Sequence, residues 1–74
     1  MFEAEFITLK ENLIWLCETS SGQYVLLHHT EIVGIFPTQD DAIRYGHKIL
    51  HGDPFLVREI VDDQEINWNI WKNG

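Results

Sequence analysis

The sequence predicts a small α+β domain: a four-stranded antiparallel sheet with one or two packed helices, in the order α-β-β-α-β-β. Three observations lead there. The chain opens on apolar residues at helical spacing. Two β-rich runs follow, separated by too few residues for anything but a hairpin. A second helical stretch with its own capping signal then precedes two further strand-like runs.

Phe2, Phe6, Leu9, Leu13 and Leu16 step by four, three, four and three, which places them on one helical face. Thr8 with Glu11 three residues on has the form of a capping box and predicts a helix over about 8–18. Upstream, Phe2, Ala4 and Phe6 alternate with Glu3 and Glu5. Residues 1–7 therefore read either as an extension of that helix or as a separate edge strand. Ser20-Ser21-Gly22 ends the element with turn chemistry.

Residues 23–29 read as a strand, His29-Thr30-Glu31 as a short turn, and 31–36 as a second strand. Tyr24 and Leu26 oppose Val25 and Leu27 across the first strand, and Ile32 opposes Val33 and Ile35 across the second, with Ile32 on the opposite side of the pleat from Val33. A sheet apolar on both faces needs cover on both. One helix supplies one cover, and the N-terminal helix or a second subunit must supply the other.

Pro37 stops the second strand. Thr38 with Asp41 forms another capping box, and Asp40 and Asp41 sit where the helix dipole favours carboxylates. That helix runs to about residue 51, with Ala42, Ile43, Gly46, Ile49 and Leu50 as its apolar stripe. A mid-helix glycine costs about 1 kcal/mol relative to alanine, so Gly46 implies close approach to the sheet. Gly52 ends the helix and Asp53-Pro54 begins the return. Residues 55–61 read as a third strand and Asp62-Asp63-Gln64-Glu65 as an acidic turn. Ile66, Trp68 and Ile70, alternating with Asn67 and Asn69, read as a fourth strand.

Gly22-Gln23-Tyr24-Val25-Leu26-Leu27, Glu31-Ile32-Val33-Gly34, Thr38 with Ala42, and Pro54-Phe55-Leu56-Val57 with Ile60 resemble a widespread family of short bacterial domains of unknown function. The resemblance covers 22–60. It implies a hairpin, a helix and a returning strand, and it implies no reaction, cofactor or site residue.

The 74 residues form one domain over 1–74, and 45% hydrophobic composition with three tryptophans is enough for one core. It is slightly more than one small monomer hides, which keeps a homodimer or an apolar docking patch open. Cys17 is the lone cysteine, unlike the even set of a disulfide-stapled secreted domain. Met1-Phe2-Glu3-Ala4-Glu5 is acidic where a signal peptide is basic, and no apolar run approaches the roughly 20 residues of a membrane helix. The expected location is cytoplasmic, away from membranes. Net charge is −7, with only five scattered basic residues. That argues against direct nucleic-acid binding. It suits a basic protein partner, and it equally suits simple solubility.

Candidate chemistry is sparse. His47 and His51, spaced i, i+4, place two imidazoles on one helical face, as metal ligands require. A closed zinc site needs two more ligands, and neither CxxC nor HExxH occurs. His28 and His29 point to opposite faces of a strand, so at most one could join. The plain reading is solvated histidines near a helix C-terminus. Cys17 could pair with a histidine as a nucleophile, but its apolar neighbours suit a small buried hydrophobe. Asp40-Asp41 is explained by capping and Asp62-Asp63 by turn chemistry. Asp62, Asp63 and Glu65 lack the spacing of a calcium loop. Asp40 and Arg44 suit a surface ion pair. No glycine-rich phosphate loop or nucleophile elbow is present. The expectation is a non-enzyme without metal or cofactor.

The last hairpin stands out. Its acidic tip, Asp62, Asp63 and Glu65, adjoins Trp68 and Trp71. The tryptophans lie three residues apart, so they point to opposite sides of a strand: one inward and one available to a partner. In the blander alternative both are core. The functional expectation is an acidic protein–protein interaction module. Its sharper form is a phage or mobile-element inhibitor or regulator of a basic, nucleic-acid-handling protein. The alternatives are a metal- or ligand-binding domain using His47 and His51, or a structural accessory subunit.

Overall fold

A computed structural model describes residues 1–61. They form α1 (Glu3–Ser20), β1 (Tyr24–His28), β2 (Glu31–Phe36), α2 (Gln39–Leu50) and β3 (Leu56–Glu59). The strands make one antiparallel sheet in the order β2-β1-β3. The class is α+β. The fourth strand expected over 66–70 lies outside the described residues.

The helical period wins at the N-terminus. Phe6, Leu9, Leu13 and Leu16 are all buried, which only one continuous helix from Glu3 achieves. The Thr8–Glu11 capping box is therefore corrected. Thr8 lies in mid-helix, and its hydroxyl donates to the Ala4 carbonyl at 2.8 Å. Phe2 holds the N-cap position without a side-chain cap, so burial rather than capping fixes this end.

β1 is the central strand and is apolar on both faces. Val25 and Leu27 join Leu9, Leu13, Leu16 and Ile60 in the main core, beneath α1. Leu26 points the other way and is fully buried on the α2 side, as is Ala42. One chain thus covers both faces of its own sheet, α1 on one side and α2 on the other.

The hairpin closes with His28 opposite Glu31. His29, the first loop residue, adopts φ 57, the positive sign that tight hairpin turns demand. Its backbone N–H donates to Glu5 Oε2 at 2.8 Å. Glu5 is only 5% exposed, so a buried carboxylate of α1 latches the hairpin turn. Further along, Leu26 faces Gly34 and Leu27 faces Ile32, which leaves Val33 as a bulge in β2.

α2 begins as expected: Thr38 Oγ1 accepts from the Asp41 N–H at 3.1 Å. It ends at Leu50, one residue before the expected bound. His51 is the C-cap at φ 49 and Gly52 follows at φ 92. The close approach at Gly46 is to a ring rather than to a strand. A Cβ there would lie 2.6 Å from Phe55, the residue just before β3. Beyond β3, Gly22 N–H donates to Ile60 O at 2.8 Å and Ile60 N–H to Gln23 O at 2.7 Å. These bonds carry the pairing past Glu59.

Gly46→Ala gains helix propensity but drives a methyl into Phe55. The expected net effect is a destabilisation of about 1–3 kcal/mol, read by urea unfolding, and Phe55→Ala in the same chain should relieve part of it. Glu5→Ala removes the acceptor of a part-buried amide and should cost about 1–3 kcal/mol in the same assay.

Candidate functional site

The outer face of α1 carries the main exposed apolar surface among the described residues. Ile14 is 78% exposed and Ile7 55%. They are seven residues apart, two helical turns, and so lie on one line. Glu3 and Glu11 stand four residues to either side of Ile7, and Glu18 four residues beyond Ile14; all three are exposed. The result is an apolar line with these carboxylates around it and one cation, the exposed Lys10, three residues from Ile7 and four from Ile14. Trp15 lies further round, 42% exposed, with its indole N–H donating to Asn12 Oδ1 at 2.7 Å. The N-terminal amine sits 2.9 Å from Glu3 Oε1 and holds that carboxyl below its ordinary range, chiefly through the hydrogen bond.

Connectivity sets which charged residues share each end of the sheet. Tyr24 at the start of β1 pairs with Phe36 at the end of β2 and with Glu59 at the end of β3. α1 finishes and α2 begins at this end, which gathers Glu18, Asp40, Asp41 and Glu59. Arg44 Nη2 meets Asp40 Oδ2 at 2.9 Å, and that hydrogen bond raises the guanidinium pKa further. This is the expected surface pair. The chain leaves the described region here, with the Cys17 thiol donating to the Val61 carbonyl at 2.9 Å. Asp62, Asp63 and Glu65 follow directly in sequence.

All four histidines are placed towards the opposite end. His28 closes the hairpin, His29 is in its turn, and His47 and His51 mark the last turn and C-cap of α2. The rings of His28 and His29 lie 4.1 Å apart, and His47 packs edge-on against Phe55 at 5.3 Å. His28 Nε2 is buried without a hydrogen bond, and Asp53 Oδ2 lies 3.7 Å away. His51 has left the helix for the left-handed region, so it does not continue the face that carries His47. Among the described residues no group of three or more His, Cys, Asp or Glu is arranged to hold a metal ion. Cys17 lies at the other end of the sheet from the histidines, so the cysteine–histidine pairing does not form. No described helix is long and apolar enough to cross a membrane.

Asp62, Asp63, Glu65, Trp68 and Trp71, the expected partner-binding residues, lie outside the described residues. The structure supplies their point of departure, at Val61 beside the last turns of α1. Sequence reasoning missed the Ile7–Ile14 line. Its signal was present: two isoleucines a heptad apart, both off the buried stripe. Nothing local marked Glu5 as a latch, because its partner is 24 residues away.

No family model, no curated protein and no solved structure matches the chain.

Proposed function

We propose that this chain is a non-enzymatic, acidic protein-interaction module whose partner is a basic protein, of the kind that handles nucleic acid. The observation that carries the reading is the Ile7–Ile14 line among Glu3, Glu11 and Glu18. A helix that presents two apolar anchors seven residues apart fits a hydrophobic groove in a partner. Carboxylates around those anchors select a groove with a basic rim.

The acidic hairpin extends this surface. Residues 62–65 form its turn and 66–70 a fourth strand of the sheet, in the proposed arrangement. Asp62, Asp63 and Glu65 then join Glu18, Glu59, Asp40 and Asp41 at one end. One of Trp68 and Trp71 is available as an aromatic anchor. The net charge of −7 supports steering towards a basic surface, with an association rate that falls as salt rises.

The test is affinity capture with the native chain, the Ile14→Glu variant and the triple reversal Asp62→Lys, Asp63→Lys, Glu65→Lys. The native chain should retain a basic partner. Ile14→Glu should weaken it by tenfold or more while leaving folding stability within about 0.5 kcal/mol, as for other exposed positions. The triple reversal should weaken binding and flatten its salt dependence. A partner held equally by all three forms rules the reading out.

A further inference from the structure

We propose that His28 and Asp53 form a proton-operated clamp. It ties the end of the β1–β2 hairpin to the α2–β3 connection when the imidazole is charged, and releases it when the imidazole is neutral. The inference is independent of any external partner.

The geometry carries it. The extra residue of the bulge lies in β2, so β1 keeps its alternation. His28, two residues after Leu26, therefore points to the α2 side of the sheet. Its side chain is 16% exposed, and Nε2 is buried without a hydrogen bond. An unpartnered buried ring nitrogen is costly in either neutral tautomer: as a lone pair it lacks a donor, and as an N–H it lacks an acceptor. Asp53 Oδ2 stands 3.7 Å away, just beyond hydrogen-bond reach. The Asp53 side chain is 66% exposed, while its backbone N–H is held by the Leu50 carbonyl at 2.9 Å. The carboxylate can thus swing about its own side-chain bonds with the backbone fixed. A movement of about 1 Å brings it to the distance of a charge-assisted hydrogen bond.

Protonation selects between the two states. An imidazolium carries a hydrogen on each ring nitrogen, so Nε2 must donate, and the carboxylate beside it is the acceptor. The proton comes from solvent, and no covalent bond of the chain breaks. The other groups around His28 do not compete for this role. The His29 ring lies 4.1 Å from the His28 ring, but it is exposed, and it is the His29 backbone N–H that bonds Glu5 on α1. Glu31 is the register partner of His28 on β2 and is exposed. Towards this end α2 carries His47, Lys48 and His51, with the His47 ring against Phe55. On β3, Arg58 and Glu59 pair with Val25 and Tyr24, away from the hairpin turn. The bond exists in the folded chain alone. Its share of stability is therefore present on the acid side and is lost as pH rises through the histidine range, roughly pH 5–8.

The experiment is urea unfolding of the full chain at about pH 5.5 and about pH 7.5, on either side of ordinary histidine titration. The native chain, Asp53→Asn, His28→Gln and the double variant form a cycle in which the other titrating groups cancel. The expected coupling is about threefold or more in the unfolding equilibrium constant at the acid pH, and none at the neutral one. Equal coupling at both pH values, or none at either, overturns the clamp. A second readout needs no variant: in NMR of the native chain, the Asp53 carboxyl carbon should follow the titration of the His28 ring. A carboxyl signal that does not move with that ring overturns the clamp as well. Partner capture bears on neither readout, so the two proposals fail separately.

Discussion

The structure depends on β1 being buried on both faces. Val25 and Leu27 face α1, Leu26 faces α2, and all three are inaccessible to solvent. Such a strand cannot sit at an edge, so β2 and β3 must flank it. Both of its faces need helices. In so short a chain the two helices that precede and follow the hairpin are the available cover, and each takes one side. Gly46 then lets α2 settle against Phe55, and Glu5 fixes α1 to the hairpin turn. The polar latch is small beside the apolar burial, but it is directional. It sets which part of α1 lies over the turn, and burial alone does not.

The same connectivity segregates the histidines. Antiparallel pairing places the start of β1 with the ends of β2 and β3, and the helices inherit that polarity. Histidines gather where α2 ends and the hairpin turns, whereas carboxylates stand at both ends: Glu18, Asp40, Asp41 and Glu59 at one, Glu5, Glu31 and Asp53 at the other. The arrangement needs no long-range selection of individual charges. Asp40 and Asp41 sit at the start of α2 because a helix N-terminus favours them, and His47 near its end for the converse reason.

Much of this was legible in the residues. The strands show β-rich runs, α2 carries a capping box and a glycine stop, and the two-faced hairpin demanded two covers. The start of α1 was not legible, because Phe2, Ala4 and Phe6 satisfy both periods locally. The choice falls to Leu9, Leu13 and Leu16 further along, whose burial needs a continuous helix. Thr8 and Glu11 imitate a cap because Thr-x-x-Glu is short and frequent. The candidate surface was half legible. Acidity pointed to the kind of partner, whereas the exposed isoleucines emerge only once the buried stripe of α1 is known. Tertiary links such as His29 to Glu5 leave no mark in a local window.

The bulge at Val33 bears on how readily another strand could pair along β2. β2 is an edge strand, and an unbroken edge invites another strand to zip onto it. An extra residue interrupts the regular ladder and twists that margin out of register. Intermolecular pairing along β2 would lack an even row of donors and acceptors. Among the described residues the two pairings of β1 therefore differ: the β2 margin is blunted by irregular backbone, while the pairing with β3 has no such shift. The misfit at Val33 thus works against chain-to-chain growth along the β2 margin.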